Sequence, residues 1–178
     1  MVTLAGRTGA GKSTIFKLIL GDYEPWAGQV RVWGVNAAQL APQARRRFVG
    51  HVDQAFRAVP GTVADQITLG DPSISREEMA QAAQLAGIGA ALEALPQGYD
   101  TPYAEGLLSQ GQTQLLSIAR AVAANPKLLL LDEITANLDS GTEQQVMEAL
   151  RRASQNRAVL SISHRLYEQS GQGRIVQI

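Results

Sequence analysis

No cysteine occurs among the 178 residues, which excludes disulfides and thiolate metal sites. Two histidines leave little for a zinc site, so a metal here is expected to be held by oxygen. Neither sign of charge is in excess. The 16 Lys and Arg balance the 16 Asp and Glu, and nothing marks a surface for blanket neutralisation of nucleic-acid phosphates, so nucleic acid is not an expected partner. An aliphatic run such as Leu128 to Leu131 falls far short of the ~20 residues of a spanning helix. The N-terminus lacks a basic segment followed by a signal-like apolar region, and the polypeptide by itself is expected to be soluble and intracellular. Its length fits one domain with its own core.

What is present begins with Gly6-Arg7-Thr8-Gly9-Ala10-Gly11-Lys12-Ser13-Thr14. It lies between an apolar run, Val2 to Ala5, and a helical pattern carrying Ile15, Leu18 and Ile19. Glycines spaced this way let successive N–H groups turn inward, and the following helix adds the positive end of its dipole. The spacing reads as a phosphate-binding loop. Lys12 is expected to reach the β- and γ-phosphates, Ser13 to ligate a nucleotide's Mg2+, and Thr14 to support the phosphates from the next position.

Further along, Gln29 to Trp33 alternates like a half-buried strand, and Phe48 to Val52 reads as an apolar strand delivering Asp53 and Gln54 to its C-terminal end. Ligands collect at that edge of open α/β sheets. Residues 58–106 carry helix and capping signals, among them Ser75 to Glu78. Ser109-Gln110-Gly111-Gln112 has the spacing of a capping box before another helix. Leu128 to Leu131 reads as a strand buried on both faces and ends at Asp132-Glu133. A helix is expected over roughly Gly141 to Ala153, then a buried strand over Ala158 to Ser163 with His164 at its tip.

The phosphate loop lacks a carboxylate, and the leucine strand supplies two. Asp132 is read as the metal-side residue and Glu133 as the base that polarises water. His164 ends its strand at the same sheet edge, where an imidazole can contact the γ-phosphate. His51, inside a strand pattern, is read as structural. The fold class is α/β, a P-loop NTPase-type, mainly parallel sheet flanked by helices with an inserted helical lobe. Residues 1–57 and 125–178 form its core and about 58–124 the lobe.

Taken in order, Gly6 to Thr14, Gln54, Leu108 to Gln112, Leu128 to Glu133, Asn137-Leu138-Asp139 and His164 resemble the nucleotide-binding domain of ATP-binding-cassette (ABC) transporters. They are similar to its Walker A loop, Q-loop, signature motif, Walker B strand, D-loop and H-loop. The resemblance implies ATP and Mg2+ as cofactors, with Ser13, Gln54 and Asp132 on the metal side and Glu133, Gln54 and His164 as catalytic residues. It also implies a head-to-tail dimer with a second nucleotide-binding domain. Ser109, Gly111 and Gln112, with Asp139, would face the nucleotide held by that partner.

The stretch from Pro60 to Gly70, with Thr101 and Glu105, is similar to the exporter class. A membrane-embedded partner, on the same full-length chain or another, and a place at the cytoplasmic face of the plasma membrane are therefore expected. Departures from the pattern are Gln110, Asp53 and Ile134, none of which removes a ligand. The segment from Glu105 to Leu108 is short for an exporter. The family's upstream aromatic that stacks on adenine and its last strand and terminal helices have no counterpart here, so the sequence is expected to be a fragment with poor discrimination between bases. The other readings are a soluble ABC ATPase without transport, which would predict tandem cassettes or a basic surface, and a non-hydrolysing regulatory cassette, against which Glu133 and His164 stand.

Overall fold

The computed structural model describes residues 1–132, 139–162 and 173–178. Five strands form one sheet: β1 (Val2–Ala5), β4 (Val49–Val52), β5 (Leu128–Leu131), β6 (Ala158–Ser161) and β7 (Arg174–Gln177), in the order β4-β5-β6-β1-β7. Every neighbouring pair is parallel. The C-terminal ends of β1, β4, β5 and β6 therefore share one edge.

The leucine strand explains how the sheet is covered. Leu129 and Leu131 enter one apolar cluster with α6 (Gln110–Val122) and α7 (Ser140–Ser154). Leu130 points the other way, into a cluster with Leu4, Val49 and Phe16 of α1 (Lys12–Ile19). Alternate side chains of a strand leave opposite faces, so an unbroken run is what a sheet covered on both sides requires. Each of these three leucines is fully buried, worth about 2 kcal/mol apiece relative to exposure.

The expected strand at Gln29 to Trp33 is shorter than its alternation suggested. Only Arg31–Val32 (β2) is strand, paired antiparallel with Val35–Asn36 (β3). Between them Trp33 and Gly34 both have positive φ, 49° and 82°, the backbone of a two-residue hairpin turn of the primed kind. Trp33 is thereby removed from the strand and half exposed.

Between β4 and β5 the chain runs through α3 (Val63–Thr68), α4 (Arg76–Ala86), α5 (Gly89–Glu93) and α6. Three of these start in reciprocal capping boxes: Thr62 with Asp65, Ser75 with Glu78 and Ser109 with Gln112. Two arginines join the end of α3 to the rest. Arg46, which ends α2 (Pro42–Arg46), donates to the carbonyls of Thr68, Ile67 and Arg120. Arg120 of α6 donates to Gln66 O at 2.5 Å and Arg57 O at 2.8 Å, with its guanidinium 4.1 Å above the Phe56 ring. Burial lowers the Arg120 pKa to about 10, with the charge of Arg46 adding to the shift.

Candidate nucleotide-binding site

The loop after β1 folds because its glycines take backbone angles that other residues resist. Gly9 and Gly11 have φ of 84° and 96°, in the left-handed region that costs a residue with a Cβ about 1 kcal/mol or more. Ala10 N–H donates to Arg7 O at 3.1 Å and closes the turn. Gly11 is the N-cap of α1 and offers no side chain to the free amides there, and the first turn holds no acidic residue. The amides and positive dipole end of α1 thus stay uncompensated by the protein, as an anion site requires.

Lys12 Nζ donates to Gly6 O at 2.7 Å and Arg7 O at 3.0 Å, which bends its stem back across the loop. Arg7, Thr8, Ala10, Ser13 and Thr14 are exposed along this rim, and Gly6 is half-buried beneath it. Ser13 directly follows Lys12 in the first turn of α1. The hydroxyl of Ser13, the amide of Gln54 and the carboxylate of Asp132 are oxygen donors of the kind Mg2+ takes, so the residues present fit that ion.

Asp53 and Gln54 follow β4, and Asp132 follows β5, at the same edge as the phosphate loop. One strand, β6, separates β5 from β1. The Asp132 amide donates to Val52 O at 3.1 Å, which fixes the two strand ends beside each other. Gln54 is exposed, and its carbonyl accepts from Gln114 Nε2 of α6. Glu133 and His164, the expected base and γ-phosphate contact, lie outside the described residues.

At the start of α6, Ser109 Oγ accepts from the Gln112 amide at 3.2 Å and Gln112 Oε1 accepts from the Ser109 amide at 2.9 Å. Gln112 is therefore engaged in the cap, while Ser109 and Gln110 are exposed. Gly111 faces α7, and a Cβ built on it would stand 2.3 Å from Thr142 Cγ2. Asp139 caps α7 by accepting from the amides of Gly141 and Thr142. Its carboxyl is held below the usual range by Thr142 first and then by Gly141.

One grouping went unread in the sequence. His51, Asp53 and Asp132 place one ring nitrogen and two carboxylate oxygens within 4.8 Å of one another. The parallel register sets His51 opposite Leu130, so residues two further along each strand, Asp53 and Asp132, meet on the same face. The pattern that could have revealed this is the alternate spacing of His51 and Asp53 beside an acid-ended neighbouring strand.

A glycine-built loop opening into a helix at the C-terminal edge of a parallel sheet, with an acidic strand end one strand removed, is the arrangement of a P-loop NTPase-type fold. The ABC transporter family description matches residues 1–136, and the chain belongs to that family. It is 40% identical over 167 residues to the ATM1-type heavy metal exporter of Novosphingobium aromaticivorans, covering 93% of this chain and 28% of that protein. It is 38% identical over 178 residues to the alpha-hemolysin translocation ATP-binding protein HlyB of Escherichia coli O157:H7, covering 99% and 25%.

Among solved structures, a bacterial Atm1-family ABC exporter with ATP bound superposes with a TM-score of 0.80 at 37% identity, over 99% of this chain and 31% of the other. The chain thus spans about a quarter to a third of the length of these relatives. Among the described residues no helix is long and apolar enough to cross a membrane.

Proposed function

We propose that this chain binds and hydrolyses Mg·ATP as the nucleotide-binding domain of an exporter-type ABC transporter. The observation that carries the reading is the loop itself, where Lys12 is drawn over Gly6 O and Arg7 O beside the uncompensated N-terminus of α1. The loop amides from Gly6 to Thr14 would hold the phosphates, and Lys12 would exchange its carbonyl partners for phosphate oxygens. Ser13, Gln54 and Asp132 would hold Mg2+, which supplies charge neutralisation on the β- and γ-oxygens. Glu133 would accept a proton from the attacking water, and His164 would donate to the γ-phosphate.

Ser109, Gly111 and Gln112, with Asp139, would face the triphosphate held by a second nucleotide-binding domain. Exposure of the Ser109 end of α6 supports that role. Residues 58–124 would act as a helical subdomain against a core of residues 1–57 and 125–178. Membrane-spanning helices on the same full-length chain or another would carry an export substrate, with this domain at the cytoplasmic face. The support is the likeness to the exporters named above.

The test is Glu133→Gln, which keeps shape and hydrogen bonding but loses the base. The variant is expected to bind ATP, to hydrolyse it at least about a hundredfold more slowly, and to form an ATP-dependent dimer on size exclusion. Parental turnover by this variant would remove Glu133 from its role.

A further inference from the structure

His51 is the residue of this edge that the phosphate reading does not use. Its ring packs edge-on against Phe16, with centroids 5.9 Å apart, and its Nε2 has no exposed surface and no hydrogen-bond partner among the described residues. A buried polar nitrogen left in that state costs about 1–3 kcal/mol.

We propose that His51, Asp53 and Asp132 form a binding site for a transition-type divalent cation such as Zn2+ or Mn2+, filled without nucleotide. The dimensions suit it. Donors bound tetrahedrally to one such ion at about 2.0–2.2 Å lie roughly 3.3–3.6 Å from one another, so a cluster already within 4.8 Å closes by small side-chain rotations. The donor chemistry selects the ion. Mg2+ is served by oxygen alone, whereas an imidazole beside two carboxylates favours Zn2+, Mn2+ or Co2+. This departs from the oxygen-only ligation expected from the composition.

The β4–β5 register supplies the rigidity, since His51 and Leu130 are paired and the Asp132 amide is tied to Val52 O. The proposal rests on the nucleotide reading only in sharing Asp132 with the Mg2+ set, and a titration without nucleotide separates the two.

The experiment is calorimetric titration of ZnCl2 into the chelator-treated full chain without nucleotide, joined to pulsed electron paramagnetic resonance of bound Mn2+. The parent is expected to bind Zn2+ and to show nitrogen hyperfine coupling from one imidazole. His51→Gln should lose that coupling, and both His51→Gln and Asp53→Asn should weaken Zn2+ by at least about tenfold. Ser13→Ala should keep the parental Zn2+ affinity. Should His51→Gln fail to fold, Asp53→Asn, which leaves the core untouched, carries the comparison. Zn2+ affinity in Asp53→Asn equal to the parent's, or Mn2+ without nitrogen coupling in the parent, overturns the site whatever the outcome for ATP.

Discussion

Gln114 Nε2 donates a 3.3 Å hydrogen bond to the carbonyl of Gln54, so a buried residue in the middle of α6 holds the segment that leaves β4. The other end of the same amide, Oε1, is buried without a partner among the described residues. Gln114→Leu therefore loses one bond worth about 1 kcal/mol and relieves one orphaned acceptor of similar cost. Stability is expected to stay within about 1 kcal/mol of the parent, while amides just after Gln54 exchange faster with deuterium. Unchanged exchange there would mean that the tether restrains nothing.

Lys12→Ala removes the only side-chain cation that reaches the loop carbonyls among the described residues. The loop amides would remain, but the charge facing the terminal phosphates would not. Tight Mg·ATP binding should be lost in calorimetry while the melting temperature changes little. Equal ATP affinity in variant and parent would reject the assignment.

Acid stability should report on Asp71. Its carboxylate accepts from Ser73 Oγ at 2.7 Å and the Ser73 amide at 2.9 Å, with Arg46 at 3.9 Å. The Ser73 bonds first, and Arg46 after them, hold its pKa below the ordinary 3.8. The unfolded chain therefore takes up this proton first on acidification, and the contribution is complete above about pH 4 and lost as pH falls through the folded pKa. Asp71→Asn should be less stable than the parent at pH 7, with the two stabilities converging below pH 4. Parallel urea midpoints across pH 3 to 7 would show that Asp71 adds nothing.

Gly111 and Thr142 set the approach of α6 to α7. With a Cβ placed 2.3 Å from Thr142 Cγ2, Gly111→Ala is expected to cost about 1–3 kcal/mol through overpacking. That cost exceeds the roughly 1 kcal/mol that alanine gains over glycine in a helix. Removing the methyl with Thr142→Ser should turn Gly111→Ala neutral or stabilising. A double-mutant cycle with no coupling between the two positions would contradict the packing described.

Much of this architecture was legible because its signals are local. Val2 to Ala5 and Leu128 to Leu131 are strands within the residues expected, and Ser75 and Ser109 cap their helices through the partners their spacing indicated. The expected helix at Gly141 to Ala153 is Ser140–Ser154.

What escaped depends on chain returning from a distance or on backbone angles that composition does not encode. The β2 strand is cut short by positive φ at Trp33, a residue with no preference for it. His51 looked like strand filler because its neighbours in sequence are apolar, and only the register with β5 brings Asp132 to it. The arginine run at Arg45 to Arg47 likewise gave no hint that Arg46 is spent on the carbonyls of α3 and α6.

Those arginine contacts carry a consequence for ionic strength. Arg46 and Arg120 meet mostly uncharged carbonyls, and the two cations repel each other. Dissolved salt weakens attraction between opposite charges but leaves a cation's bond to a peptide oxygen largely alone, and it softens repulsion between like charges. The joint between the end of α2, the end of α3 and α6 is thus a brine-proof rivet. Concentrated electrolyte will open the exposed Arg76–Asp100 pair at 2.7 Å well before it loosens this seam.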